Sequence, residues 1–106
     1  MDKTFYITTP IYYPSAKPHM GHAYSSIVAD FFARFKVIDD YHVHFLTGTD
    51  EHGLKIQRSA EKAGKEPQIF CDQISQTFKD LSDTLNLTNT DFIRTTENRH
   101  KKTVQH

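Results

Sequence analysis

The sequence has little cysteine, no long apolar run and no net charge, and each of these absences excludes a class of protein. The single cysteine, Cys71, cannot form an internal disulfide or supply a cysteine metal site, which favours a reducing, cytoplasmic setting. No apolar run approaches the roughly 18 residues of a membrane span and no basic-then-apolar leader is visible, so we expect neither a span nor a signal peptide. Thirteen basic and thirteen acidic residues cancel, which argues against a general electrostatic attraction to nucleic acid or membrane.

The length and hydropathy of the chain limit the size of its core. With 106 residues and 12.3 kDa, the chain forms one domain at most and buries roughly 65% of its unfolded surface. The mean hydropathy of −0.62 is low. We therefore expect some apolar faces to pack against polypeptide outside these residues.

Strands and helices alternate along the chain. The pattern predicts a strand over 3–9, a proline-rich loop over 10–18, a helix over 21–38, a strand over 42–47, a loop over 49–53, helices over 54–63 and 67–86, a strand over 91–95, and a last helix capped by Thr96. Gly64 and Pro67 suit the end of one helix and the start of the next. This order is typical of an α/β fold with a parallel sheet and right-handed crossovers.

Large apolar residues recur at helical spacing in two of the predicted helices. In the first helix they form a stripe: Tyr24, Ile27, Val28, Phe31, Phe35 and Ile38. We predict that the aromatic residues of this stripe, Phe31 and Phe35, face the core together with Phe70 and Phe78 of a later helix.

The segment Pro18-His19-Met20-Gly21-His22 lies where the first strand gives way to the first helix. Ligands of open α/β sheets bind at such junctions, and the N–H groups of the first helical turn suit phosphate. The spacing places the imidazoles of His19 and His22 on one side of the helix, where they could stabilise charge on a phosphorus under attack. Gly21 leaves room for a flat group such as a purine. The segment predicts nucleotidyl transfer, and the alternative is a pair of surface or capping histidines.

A metal site is a weaker alternative. Its ligands would come from seven residues: His19, His22, His42, His44, Asp50, Glu51 and His52. Zinc sites use three or four convergent ligands at characteristic spacings, and none of those spacings occurs in this chain. We therefore expect no metal ligands here.

The segment after the second strand carries further candidates. The carboxylate of Asp50 could hold a substrate ammonium group, or Asp50 or Glu51 could cap the following helix. His52 and Gly53 could combine a ligand contact with a tight turn or form only the turn. Tyr13 could line a pocket or simply pack in its loop.

Three stretches together resemble the catalytic region of the methionyl-tRNA synthetase family, which belongs to the class I aminoacyl-tRNA synthetases. They are Thr8-Thr9-Pro10-Ile11-Tyr12-Tyr13-Pro14, His19-Met20-Gly21-His22 and Thr47-Gly48-Thr49-Asp50-Glu51-His52-Gly53. The second is similar to the HIGH signature, with Met20 at its apolar position. The resemblance continues through residues 92–97, and it implies that 1–106 form the first half of a Rossmann-like, nucleotide-binding catalytic domain.

The resemblance also implies roles for individual residues. His19, Gly21 and His22 would bind ATP, with the two histidines acting catalytically as methionyl-adenylate forms. Ile11, Tyr13, Asp50 and His52 would border the methionine, and Asp50 would hold its ammonium group.

The resemblance further implies ATP with Mg²⁺, methionine and tRNA(Met) as substrates and partners. We expect the chain to be a fragment without the family's KMSKS loop, zinc site and anticodon-binding domain, and to be weakly active or inactive without that remainder. Two alternatives stay open: a small stand-alone adenylyltransferase, and a non-catalytic remnant or interaction module.

Overall fold

The computed structural model describes residues 3–14 and 18–106, so residues 15–17 of the predicted loop lie outside it. The elements run in the order β1 (Lys3–Thr8), α1 (Met20–Ile38), β2 (Tyr41–Thr49), α2 (Leu54–Lys62), α3 (Pro67–Thr84), β3 (Asp91–Arg94) and α4 (Asn98–Gln105). This order confirms the predicted α/β pattern, and most boundaries agree to within two residues. Within the same ranges, the structure has no helix long and apolar enough to cross a membrane.

The three strands form a parallel sheet in the order β1-β2-β3. β1 pairs with the first part of β2, from Lys3 opposite Tyr41 onward. β3 pairs with the last part of β2 and sets Arg94 opposite Thr49. The prediction that Thr49 lies in a loop is therefore wrong, because this pairing with β3 extends β2 and buries Thr49 completely.

The core between α1 and the sheet is built from small residues of the helix. Phe45 of β2 is fully buried and packs against Ala29 and Ala33 of α1. Small side chains let the helix approach the sheet closely, so the large residues of α1 lie on its other face. The predicted core stripe is therefore wrong for α1, where Phe31 is 66% exposed. The exposed members are Tyr24, Ile27, Val28, Phe31, Phe35 and Ile38.

Two other aromatic residues do lie in the core, as predicted. Phe70 and Phe78 of α3 are buried. Phe78 stacks on Tyr12 with ring centroids 5.3 Å apart. Tyr12 thereby attaches the loop after β1 to α3 as well as to the sheet, where it pairs with Thr49.

Helix boundaries follow the predicted signals except at α4. Gly64 follows α2 with a φ of 71°, and Pro67 is the first residue of α3. The N-cap of α4 is Glu97 and not Thr96. The reason is a competing hydrogen bond, because the Thr96 hydroxyl donates to Glu51 Oε1 at 2.8 Å.

Candidate functional site

His19 and His22 cap the N-terminus of α1 reciprocally. His19 is the N-cap, and its Nδ1 accepts from the backbone N–H of Gly21 at 3.0 Å. His22 Nδ1 accepts from the backbone N–H of His19 at 3.0 Å. The two rings stack with centroids 3.9 Å apart. The structure thus brings the two histidines together as predicted, and the capping alternative also describes them correctly.

These hydrogen bonds determine which ring nitrogen carries the proton. A neutral imidazole that accepts through Nδ1 carries its proton on Nε2. Burial, and then the neighbouring His19, lower the pKa of His22 below its usual value of 6.5, which favours the neutral ring. In the part of the chain that the structure describes, neither Nε2 has a protein partner. Both Nε2–H groups can therefore donate to a ligand.

The backbone at the start of α1 is less available than the sequence predicts. Besides the Gly21 N–H, the N–H groups of His22 and Ala23 donate to the His19 carbonyl, at 3.0 and 3.3 Å. The expectation of free first-turn N–H groups is therefore wrong for these three residues, because His19 occupies them. A phosphate would meet the imidazoles before the backbone.

Gly21 is required by the histidine pair itself. A Cβ at this position would lie 2.9 Å from Cε1 of His19. The flat group that lies against Gly21 in this structure is thus the His19 imidazole. The contact with a purine stays a prediction.

Tyr12 links the histidine pair to the segment after β2. Its hydroxyl donates to the His22 carbonyl at 3.2 Å and pairs with Ser26 Oγ. Its ring lies 4.8 Å from the His22 ring. Its backbone carbonyl accepts from the Asp50 N–H at 2.8 Å. Sequence reasoning missed this role, since the only signal was a second tyrosine beside Tyr13 in a proline-rich loop.

Asp50 and Glu51 do not cap α2. The N-cap of that helix is Gly53, which makes no side-chain capping bond, so the capping alternative is wrong for both acids. Across residues 3–14 and 18–106, the Asp50 carboxylate has neither a hydrogen bond nor an ion pair. Asp50 is therefore available to a ligand cation, whereas Glu51 is buried.

Tyr13 and His52 contact each other. The Tyr13 hydroxyl donates to the His52 carbonyl at 2.8 Å, and His52 Nε2 lies 3.1 Å from the Thr95 carbonyl. Gly53 has a φ of 120°, and a Cβ there would clash with the Tyr13 hydroxyl. The turn thus needs this glycine. Ile11, two residues before Tyr13, is 42% exposed. The contacts of Ile11, Tyr13 and His52 with methionine stay predictions.

The histidines of the metal alternative are dispersed. His42 and His44 project from β2 with ring centroids 4.9 Å apart, and both are exposed. Among the described residues, no group of three or more His, Cys, Asp or Glu side chains could hold a metal ion.

The chain matches known proteins over most of its length. Residues 5–106 match the family described as tRNA synthetases class I (M). A mitochondrial methionine–tRNA ligase of Takifugu rubripes is 54% identical over 105 residues, which cover 99% of this chain and 18% of the relative. The methionine–tRNA ligase of Thermotoga maritima is 57% identical over 101 residues, 95% of this chain and 16% of the relative.

Solved structures give the same result. The Mycobacterium tuberculosis methionyl-tRNA synthetase in complex with methionyl-adenylate matches with a TM-score of 0.93 and 47% identity, over 94% of this chain and 20% of that chain. A LeuRS-tRNA-LeuAMS complex from Agrobacterium radiobacter K84 matches with a TM-score of 0.87 and 25% identity, over 93% of this chain and 13% of that chain. The chain therefore spans a fifth or less of the length of these relatives, and it belongs to the methionine branch of the class I tRNA synthetase family.

Proposed function

We propose that the protein carrying this sequence activates methionine with ATP and transfers it to tRNA(Met), and that residues 1–106 supply part of its Rossmann-like catalytic domain. The observation that carries the proposal is the reciprocal cap of His19 and His22. It leaves the Nε2–H groups of both histidines without a protein partner in the described ranges, and Tyr12 connects the pair to the segment that bears Asp50. Family membership supports the choice of methionine over the substrates of a stand-alone adenylyltransferase.

The first step is attack at phosphorus. A carboxylate oxygen of methionine bonds to the α-phosphorus of ATP, and the bond from that phosphorus to the pyrophosphate oxygen breaks. Negative charge builds on the α-phosphate oxygens during this exchange, and donors fixed in advance stabilise it. His19 and His22 supply those donors through Nε2–H, and Gly21 keeps space for the His19 ring.

Methionine binds at the ends of the strands. Its ammonium group pairs with the Asp50 carboxylate, which has no other partner in the described ranges. The Ile11 backbone, the Tyr13 ring and His52 border the same site. The Mycobacterium tuberculosis relative was solved in complex with methionyl-adenylate, which supports methionine and ATP as substrates here.

The other partners follow from the family. Mg²⁺ would arrive with the ATP phosphates as part of the substrate, since residues 3–14 and 18–106 offer no cluster that could hold a metal, and we assign it no protein ligand. tRNA(Met) accepts the methionyl group in the second step. We place the reaction in the cytoplasm because the single cysteine, Cys71, is a free thiol, which suits a reducing compartment; one relative is named as mitochondrial.

The test is a titration of the 106-residue chain with a non-hydrolysable methionyl-adenylate analogue, followed by amide NMR. We expect shifts at residues 19–22 and at Asp50. His19→Asn is the matched control, because asparagine still caps the helix but lacks the imidazole donor. It should weaken binding about tenfold or more, as expected when a hydrogen bond to a charged group is lost.

Asp50→Asn tests the ammonium contact in the same titration. It removes the charge that pairs with the ammonium group and should weaken binding of the analogue by a similar factor. Methionine-dependent ATP–pyrophosphate exchange should be slow, and slower still in both variants. A dispersed spectrum that does not respond to the analogue would contradict the proposal and favour a non-catalytic interaction module.

A further inference from the structure

The carboxylate of Glu51 is completely buried and accepts five hydrogen bonds. Its Oε2 accepts from Arg94 Nε at 2.6 Å, from Ser75 Oγ at 2.5 Å and from Thr49 Oγ1 at 2.6 Å. Its Oε1 accepts from Arg94 Nη2 at 2.9 Å and from Thr96 Oγ1 at 2.8 Å. The donors belong to the ends of β2 and β3, to α3 and to the segment before α4. One side chain thus holds four parts of the fold together.

The charge of this side chain is stabilised by its donors. Burial raises the pKa of Glu51. The hydrogen bonds to its carboxylate, first that of Arg94, lower the pKa by more than burial raises it, so the net pKa lies below the usual value. Arg94 also pairs with Asp72 at 2.5 Å. A buried carboxylate is costly when its partner is missing. The geometry of this pair is therefore tightly determined.

The backbone on both sides of the Glu51 side chain is tied as well. The Glu51 N–H donates to Thr95 Oγ1 at 2.7 Å, and the preceding N–H, of Asp50, donates to Tyr12 at 2.8 Å. His52, which follows, lies with Nε2 3.1 Å from the Thr95 carbonyl. The segment 50–53 is therefore fixed between the loop after β1 and the end of β3. The mechanism proposed above gives Glu51 and Arg94 no contact with substrate.

We propose that Glu51, held by Arg94, is a positioning residue that sets the backbone of segment 50–53 so that Asp50 can bind the methionine ammonium. The inference rests on the proposed function. The proposed mechanism gives the Glu51 side chain no contact with methionine or with ATP. Its effect should therefore fall on the affinity for methionine and leave the affinity for ATP, which the histidines bind, nearly unchanged.

Glu51→Gln is the decisive variant, because glutamine keeps the shape and removes the charge. All five partners of the carboxylate are donors. The amide NH₂ would face some of those donors with donors of its own. Asp72→Asn is the matched control, since it weakens the other ion pair of Arg94 at a half-exposed carboxylate and leaves Glu51 intact.

The first readout is hydrogen exchange in the chain without ligand. Glu51→Gln should speed exchange of the Asp50 and Glu51 amides at least tenfold relative to the amides of β1, and Asp72→Asn should leave both within about twofold. Uniform acceleration, or none, would overturn the inference. This readout does not depend on substrate.

The second readout is binding of methionine and of ATP, measured separately by NMR titration. Glu51→Gln should weaken the binding of methionine about tenfold and the binding of ATP less than about twofold. Equal losses for both ligands, or none for methionine, would mean that Glu51 acts only on stability. If the wild-type chain binds no methionine, the proposed function fails for this chain, and the exchange data alone decide whether Glu51 holds the segment.

Ser75→Ala keeps the test decisive if Glu51→Gln does not fold. It removes one donor to Glu51 Oε2 and leaves Arg94 in place. It should produce smaller changes with the same selectivity. Hydrogen exchange should accelerate most at the Asp50 and Glu51 amides, and only the affinity for methionine should fall. Loss of methionine and ATP affinity in equal measure would overturn the inference here too.

Discussion

The Nδ1 atom of His22 accepts a hydrogen bond from the backbone N–H of His19, so the cap at the start of α1 depends on the protonation state of His22. An imidazolium carries a proton on both nitrogens and can no longer accept. Acidification should therefore break one half of the reciprocal cap and place a positive charge on the His22 ring, which stacks on His19. The neutral pair is the form that can both cap α1 and donate to phosphate.

Acid should destabilise the chain through His22. Its pKa in the folded chain lies below 6.5, so the unfolded chain binds the proton more readily. The contribution of His22 to the free energy of unfolding is complete above pH 6.5 and falls as the pH is lowered from there toward the folded pKa. Urea midpoints at about pH 7.5 and about pH 5.5 measure it.

His22→Gln is the control for that experiment, because glutamine can still accept the His19 N–H in a capping box but does not titrate in this range. We expect the midpoint of the variant to fall less between the two pH values than that of the wild type. Identical pH dependence would show that His22 is not responsible.

Tyr12 and Ser26 should be energetically coupled. Both are buried, and their hydroxyls pair with each other. Tyr12→Phe leaves Ser26 Oγ without a partner and should cost about 1 kcal/mol, as should Ser26→Ala. The double variant removes both polar groups, so its cost should fall short of the sum by roughly 0.5–1 kcal/mol. Urea unfolding of the four proteins measures this, and strict additivity would refute the coupling.

Asp30 should stabilise the chain more than its partner Arg34. Asp30 Oδ1 accepts from the Thr88 N–H at 2.7 Å and from its hydroxyl at 2.6 Å, while Arg34 Nε donates to Oδ2 at 2.6 Å. Asp30→Ala removes a buried carboxylate together with its hydrogen bonds to Thr88 and Arg34, and it should cost about 2–3 kcal/mol because hydrogen bonds to a charged group are strong. Arg34→Met affects a half-exposed ion pair and should cost less than about 1 kcal/mol. Equal losses in urea unfolding would contradict this.

Local signals were sufficient for the order of elements and for the positions of His19, His22 and Asp50 relative to the strands. Gly64 and Pro67 predicted the boundary between α2 and α3, and the alternation of strands and helices predicted the parallel sheet. The carboxyl ends of parallel strands lie on one edge, which is why His19, His22 and Asp50 could be assigned to one region. Tyr12, which joins them, had no distinguishing local signal.

Long-range contacts were beyond the reach of the sequence pattern. The partner of Glu51 is Arg94, 43 residues away, whereas the local pattern offered only a helix cap. In α1, periodicity showed an apolar face but not whether the sheet covers it. The sheet packs on the face of Ala29 and Ala33 because small residues allow close approach.

Phe78 of α3 and Phe31 of α1 are aromatic residues that the sequence pattern treats alike, and the structure separates them. Phe78 is 1% exposed and packs against Tyr12 and His22, so Phe78→Ala should cost about 3–5 kcal/mol. Phe31 is 66% exposed, and Phe31→Ser should change the free energy of unfolding by less than about 0.5 kcal/mol. Urea unfolding at one protein concentration compares them. Comparable losses would mean that the exposed face of α1 is buried in solution and that the helix packs as its periodicity predicts.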